Sequence, residues 1–254
     1  MCHAFDADPP IAPLAGAAID SEDLTLRSAD GTDFAAFVAR AEQPGGAGIV
    51  ILPDVRGLYR FYEELALRFA EAGVNAVAID YFGRTAGVAK RDEAFPFMEH
   101  VMKTRADNIR EDAAAAVAML RSPQGGASSA VFSVGFCFGG ANSWMQAAGG
   151  HGLAGVIGFY GRPGAGRDGS PGPAQRAAEF KAPVLALMGG ADQGIPQDQV
   201  DEFKTALQGA NIEHEVVVYP GAPHSFFDRG FEQHAETAAD AWRRSLEFIE
   251  KHKG

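Results

Sequence analysis

At residues 133–140 the chain reads Ser133-Val134-Gly135-Phe136-Cys137-Phe138-Gly139-Gly140. The local pattern predicts a strand over 130–134, a turn over 135–140 and a helix over 141–148. Gly-x-nucleophile-x-Gly at a strand-to-helix turn is a nucleophile elbow, here with Cys137 in place of the usual Ser. Because a helix N-terminus favours a thiolate, the pattern predicts a reactive thiol. The alternative is a buried core cysteine, which is common for this residue type.

Strands and helices alternate on both sides of this turn. Apolar runs predict strands over 49–52, 74–79, 153–159, 184–188 and 215–219, and longer periodic segments predict helices over 61–72, 107–120, 197–207 and 231–251. Upstream, residues 24–39 alternate around Asp30-Gly31, a turn signal, which predicts an antiparallel hairpin at the sheet edge. The expected class is therefore α/β, with a mostly parallel central sheet and helices on both faces.

Length, charge and cysteine usage exclude several classes of protein. A chain of 254 residues fits one α/β domain, which we place at 21–254 after an N-terminal tail at 1–20. The net charge of −11 disfavours binding to nucleic acid or to an anionic membrane. No apolar run is long enough to span a bilayer. Two cysteines cannot build a disulfide framework, and with no secretory signal in view we expect a cytoplasmic protein.

Two further residues could complete a catalytic triad with Cys137. A nucleophilic thiol needs a base, and the base needs a group that holds its tautomer. Asp192 follows the predicted strand 184–188, and His224 follows the last predicted strand, so the chain order is nucleophile, acid, histidine. The alternative for Asp192 is a cap on the helix that begins near Pro196, a role that Asp198 could fill equally well.

These residues together resemble the dienelactone hydrolase family, the carboxymethylenebutenolidases of the α/β-hydrolase fold. The resemblance covers roughly 24–251, and its motifs are Gly-Phe-Cys-Phe-Gly-Gly at 135–140, Gly-Gly-Ala-Asp at 189–192, Pro-His-Ser-Phe at 223–226 and Asp-Tyr-Phe-Gly-Arg at 80–84. It implies a Cys-His-Asp triad that opens an enol-lactone through an acyl-enzyme. It also implies that no metal or cofactor takes part.

The resemblance assigns roles to the turn after the first central strand. The family has an acidic residue there, usually Glu, that contacts the resting cysteine. In this chain the position is Asp54, which is one methylene shorter. The same turn implies one oxyanion-hole N–H from Val55, and the second comes from Phe138, directly after the nucleophile.

The resemblance also implies residues that bind the substrate. The family holds a substrate carboxylate with arginines, for which Arg91 and Arg229 are the candidates, although both could equally be solvated surface charges. Apart from the resemblance, we expect the shape of the pocket to depend on Tyr59, Phe82, Phe95, Tyr160 and the loop 161–173. Met98 stands where the family tends to have a larger aromatic residue, which suggests a substrate other than the simplest dienelactones.

The predicted function is hydrolysis of a small ester or lactone at Cys137, in a monomer or homodimer. A promiscuous carboxylesterase or phosphotriesterase using the same site is an alternative, as is a hydrolase fold that binds a small molecule without turnover. Elbow cysteines also occur in glutamine amidotransferase-like and glyoxalase-like proteins, but those usually place His where this chain has Phe138. We expect no metal site, since Cys2-His3 offers two ligands without partners.

Overall fold

The architecture comes from a computed structural model, which describes residues 7–14, 19–166, 169–228 and 231–254. Its strands are β1 (Ile19–Arg27), β2 (Asp33–Ala41), β3 (Ala47–Leu52), β4 (Asn75–Ile79), β5 (Ala130–Phe136), β6 (Gly155–Phe159), β7 (Val184–Gly189) and β8 (His214–Tyr219). Its helices are α1 (Arg60–Glu71), α2 (Gly83–Ala86), α3 (Phe97–Val101), α4 (Ala106–Arg121), α5 (Phe138–Met145), α6 (Pro173–Arg176), α7 (Gln197–Gly209) and α8 (Ala235–His252).

The strands form one eight-stranded sheet in the order β1-β2-β4-β3-β5-β6-β7-β8. β1 pairs with β2, and β2 with β4, in antiparallel orientation, whereas the other neighbouring pairs are parallel. This arrangement confirms the predicted α/β-hydrolase fold with an antiparallel hairpin at one edge. Because parallel strands end at the same edge of the sheet, the turns that follow β3, β5, β6, β7 and β8 meet there.

The hydrophobic core lies on both faces of this sheet. Ile49 and Ile51 of β3 belong to a cluster that includes α1 and α8, whereas Val50 and Leu52 point to the opposite face and pack with α4. Successive side chains of a strand alternate between faces, so one strand supplies both layers. Trp144 of α5 anchors a third cluster together with β7 and α7. The predicted helices on both faces are therefore confirmed.

Some element boundaries differ from the sequence predictions. α5 begins at Phe138 rather than at 141, because the elbow places only Cys137 between strand and helix. α8 begins at Ala235 rather than at 231. The short helices α2 and α3 were not predicted, since neither is long enough to display a helical period.

Part of the predicted tail packs against the domain. Leu14 N–H donates to the Glu71 carboxylate over 3.1 Å, and Asp8 pairs with Arg60 over 3.0 Å. Both partners belong to α1, so the segment 7–14 lies along that helix. In the described part of the chain, no helix combines the length and apolarity that crossing a bilayer requires.

Candidate active site

Cys137 occupies a strained turn between β5 and α5. Its φ of 55° lies in the left-handed region that side chains disfavour. Gly135 and Gly139 make this turn possible: a Cβ on Gly135 would lie 1.9 Å from the carbonyl oxygen of Gly139, and one on Gly139 would lie 2.0 Å from that of Leu52. The thiol is half-buried and lines the large cavity at this edge of the sheet, as a nucleophile would.

Asp192 and His224 meet at the same edge. The carboxylate lies in the turn after β7, and its Oδ2 is 2.6 Å from His224 Nδ1 in the loop after β8. The other oxygen accepts the Gly194 N–H over 2.8 Å, which fixes the orientation of the carboxylate. The N-cap of α7 is Pro196, with no side-chain cap bond, so Asp192 does not cap that helix.

The imidazole of His224 joins the acid to the thiol. Burial lowers the pKa of His224, but hydrogen bonds to Asp192 and Cys137 outweigh it and raise this pKa to about 10. An imidazole that holds its proton this firmly favours an imidazolium beside a thiolate. The three residues expected from their order in the chain therefore lie in one hydrogen-bonded series.

The two expected oxyanion donors are backbone N–H groups of residues in the cavity wall. Val55 and Phe138 line the same cavity as Cys137. Phe138 is the first residue of α5, so its N–H has no partner within the helix. Among the described residues, neither N–H donates to another backbone oxygen. Both donors are thus available to a ligand oxygen.

Tyr160 shapes the cavity next to His224. Its ring centroid lies 5.0 Å from that of the imidazole, and its φ of 36° is again in the left-handed region. The buried hydroxyl donates to Asp228 Oδ2 over 2.9 Å, four residues after the histidine. Tyr160 therefore ties the end of β6 to the loop that carries the imidazole.

Asp54, which the resemblance places against the thiol, lies in a buried polar group with Arg56 and Tyr59, and its contact with Cys137 stays a prediction. Its fully buried carboxylate accepts from Arg56 Nη2 over 2.9 Å and from the Tyr59 hydroxyl over 3.1 Å, whereas Cys137 hydrogen-bonds His224. Arg56 lies in the same turn, two residues after Asp54, and this spacing lets its guanidinium pair with the carboxylate. Sequence reasoning missed Arg56, which lines the cavity; its spacing of two residues from Asp54 was the available signal.

Arg91 is not positioned to bind substrate, and it is not a solvated surface charge either. It is buried, pairs with Asp80 through Nη2 over 2.7 Å, and lies over the Phe95 ring at 4.6 Å. It does not line the cavity. The ion pair with the buried carboxylate of Asp80 accounts for the buried position of Arg91. Arg229, Cys2 and His3 lie outside the described residues.

Other basic side chains, which the sequence analysis did not single out, surround the cavity instead. They are Arg56, Arg60, Lys103, Arg105, Arg162 and Arg176. Arg60 and Arg176 pair with nearby carboxylates, whereas Lys103, Arg105 and Arg162 are exposed. They come from segments far apart in the chain, among them the first residue of α1, the last residue of α6 and the segment between α3 and α4, so no contiguous motif reveals them.

The cavity has a volume of about 2430 Å³. Ordinary small-molecule sites measure about 300–1,000 Å³, so this one exceeds the needs of a small lactone. Within the described ranges, no group of three or more His, Cys, Asp or Glu side chains is placed to hold a metal ion.

Comparisons with known proteins identify what this chain resembles. A family model described as "Dienelactone hydrolase family" matches residues 34–253. A relative named "Putative carboxymethylenebutenolidase" from Salmonella typhimurium is 29% identical over 265 residues, covering 99% of this chain and 97% of the relative. A "Carboxymethylenebutenolidase" from Rhodococcus opacus is 29% identical over 274 residues, covering 99% and 97%. The crystal structure of a "Putative Dienelactone Hydrolase" from Klebsiella pneumoniae gives a TM-score of 0.79 at 29% identity, covering 91% of this chain and 98% of that one.

Proposed function

This chain belongs to the dienelactone hydrolase family and is an ester or lactone hydrolase, and on that premise we propose that it acts through a thioester at Cys137. The observation that carries the proposal is the hydrogen-bonded series from Asp192 through His224 to Cys137. A reactive thiol, a base and a group that orients the base are the parts that nucleophilic acyl transfer needs. The substrate is a small molecule.

Acylation begins with the thiolate of Cys137. Its sulfur attacks the carbonyl carbon, and the electron pair of the C=O bond moves to the oxygen, where the N–H groups of Val55 and Phe138 bind it. When this intermediate collapses, the bond to the alcohol oxygen breaks and protonated His224 gives that oxygen its proton. The products are a thioester and an alcohol, which in a lactone remain joined in one molecule.

Deacylation uses the same groups in reverse. His224 takes a proton from water as the water oxygen attacks the thioester carbonyl, and Asp192 keeps the imidazole oriented through Nδ1. The carbon–sulfur bond then breaks and the acid leaves. The thiolate and the imidazolium are restored together, so no proton is lost from the cycle.

The test compares wild type with Cys137→Ala on p-nitrophenyl acetate and on cis-dienelactone. We expect the variant to lose turnover by at least about 10³-fold, because the attacking atom is gone. Intact-mass analysis of wild type during turnover should show one acyl group, mapped to Cys137. Wild-type rates in Cys137→Ala with both substrates would overturn the proposal.

The same assay separates the alternatives. Turnover of phosphotriesters with a phosphorylated Cys137 would favour the promiscuous phosphotriesterase. Binding of ester without turnover, together with no labelling of Cys137 by iodoacetamide, would favour a fold that only binds its ligand. A monomer or homodimer in the cytoplasm stays a prediction, which sedimentation and cell fractionation would test.

A further inference from the structure

Two unusually exposed apolar side chains line the cavity that contains Cys137. Among the described residues, the large apolar side chains left exposed are those of Leu14, Val88, Met98 and Met102. Met98 is 47% exposed and Met102 is 73% exposed, and both line the cavity. Exposed apolar groups that cluster in a concave site mark a binding surface more often than chance placement.

Contacts of His100 in α3 with Thr85 and Phe95 hold the two methionines in the cavity wall. His100 Nδ1 lies 2.9 Å from Thr85 Oγ1, and the His100 ring stacks on Phe95 at 4.8 Å. These contacts fasten α3 to the rest of the domain. Met98 and Met102 are four residues apart, so they share one face of this turn of helix. That face lines the cavity.

A second helix, α5, also contributes apolar side chains to the cavity wall, starting next to the nucleophile. Phe138, Ala141 and Met145 of α5 line the cavity and recur at the three- and four-residue spacing of one helix face. Phe138 directly follows Cys137, so this face starts at the reacting sulfur. We call Met98, Met102, Phe138, Ala141 and Met145 together the apolar trough.

We propose that the apolar trough binds an alkyl or aryl group of several carbons, so that the substrate is a hydrophobic ester or a lactone with a long substituent. This inference rests on the proposed function, because the trough is a site only if the ester carbonyl is attacked at Cys137. Two observations support it: the cavity is larger than a small lactone requires, and two of the four large apolar side chains that the described residues leave exposed line it. Methionine suits such a role, since its flexible side chain adapts to different apolar shapes.

The group could belong to the acid or to the alcohol, and two substrate series separate these sources. One series is p-nitrophenyl acetate, butyrate, hexanoate and octanoate; the other is methyl, butyl, hexyl and octyl acetate. We expect kcat/KM to rise by up to about fourfold for each methylene in one of the two series. A rise in the first places an acyl chain in the trough, and a rise in the second places an alkoxy chain there.

The double variant Met98→Ala/Met102→Ala tests the trough itself. We take the series in which kcat/KM rises and divide the kcat/KM of its longest ester by that of its shortest. In the double variant we expect this ratio to fall roughly fivefold, because less apolar surface covers the alkyl chain of the substrate. Val88→Ala is the matched control: Val88 is 47% exposed but does not line the cavity, so its ratio should equal that of wild type. Both methionines are exposed, and circular dichroism should show an unchanged fold.

Two results would overturn the inference. One is a kcat/KM that stays within about twofold across both series, while Cys137 still forms an acyl-enzyme with the short esters. The other is an unchanged ratio in the methionine variant. Loss of Cys137 acylation altogether would instead refute the proposed function, so the two failures are distinguishable.

Discussion

The proton on His224 is held by two neighbours. Burial lowers the pKa of this imidazole, and the hydrogen bonds that the protonated ring donates to Asp192 and Cys137 raise it further than burial lowers it, to about 10. Below that pH the ring is an acid ready to protonate a leaving alkoxide. Above it the ring is neutral and that proton is gone.

For an alkyl acetate, whose leaving alkoxide needs a proton, we therefore expect kcat/KM to fall as pH rises through about 10. In Asp192→Asn the fall should begin at lower pH, because a charge and a hydrogen bond that favour the protonated ring are weakened. p-Nitrophenyl acetate, with a leaving group that needs no proton, is the control and should show a weaker fall. If kcat/KM of Asp192→Asn begins to fall at the same pH as that of wild type, this account is contradicted.

Tyr160 acts on the same imidazole without touching the reacting atoms. Tyr160→Phe removes the bond to buried Asp228 and should loosen the loop that carries His224. We expect kcat to fall roughly three- to tenfold with little change in KM, and the free energy of unfolding to fall by about 1–3 kcal/mol. Kinetics and urea unfolding measure the two effects.

Tyr219→Phe is the matched control for this variant. Its hydroxyl also donates to a carboxylate, that of Asp240, over 2.9 Å, but it lies outside the cavity. This change should lower stability and leave kcat as in wild type. If kcat falls equally in both variants, Tyr160 does not position His224 for catalysis.

Sequence reasoning found Cys137, Asp192 and His224 because each follows a predicted strand, and parallel strands end at one edge. It did not predict the ion pairs of Arg91 and Asp54, because these depend on which opposite charge each side chain meets in the fold. Asp80 and Arg56 supply those charges inside the fold. Only a three-dimensional structure reveals such choices.

At the scale of elements, the close approach of α5 to β3 holds the elbow in place. A Cβ on Gly139 would meet two backbone oxygens, at 2.0 Å on Leu52 and 2.3 Å on Pro53, and backbone cannot swing aside as a side chain can. The helix can start directly after the nucleophile only because this residue lacks a side chain.

Gly139→Ala should therefore lower the free energy of unfolding by more than about 2 kcal/mol, or leave no soluble protein. Thermal or urea unfolding measures it. Gly209→Ala, at the end of α7 with nothing within 4 Å of the added Cβ, is the control and should be neutral or slightly stabilising. Equal effects at the two glycines would contradict the crowding argument.

Long helices and buried strands were predictable from the sequence, whereas short helices were not. The strands of the central sheet are recognisable in the sequence as short apolar runs, as at Ile49–Leu52, because both of their faces are covered. α3 spans five residues and shows no period of its own. Its place over the cavity follows from contacts of His100 and Phe95 that a local pattern does not contain.

At the scale of the molecule, one sheet joins the cores on its two faces. Trp144 belongs to the cluster with β7 and α7, and Trp242 packs on Phe69 of α1 on the other side, at 4.6 Å between ring centroids. The sequence-based expectation of a single domain at 21–254 stays a prediction, which these two residues can test.

We expect one cooperative unfolding transition. Trp144→Phe leaves Trp242 as the fluorescent reporter of one face, and Trp242→Phe leaves Trp144 as the reporter of the other. In each variant the fluorescence midpoint in urea should coincide with the midpoint from circular dichroism, because the faces share every central strand. Separate midpoints would show that the faces unfold as independent units.

β1, at one edge of the sheet, affects whether molecules of this protein associate with one another in concentrated solution. An open strand edge can recruit the same strand of another molecule and so seed aggregates. Asp20, Glu22 and Asp23 stand exposed along this one, the first two paired with Arg40 and the third with Lys90. Two molecules that met edge to edge would have to strip water from these exposed charges, so the hairpin discourages self-association at neutral pH and loses part of that protection in acid, where the carboxylates are protonated.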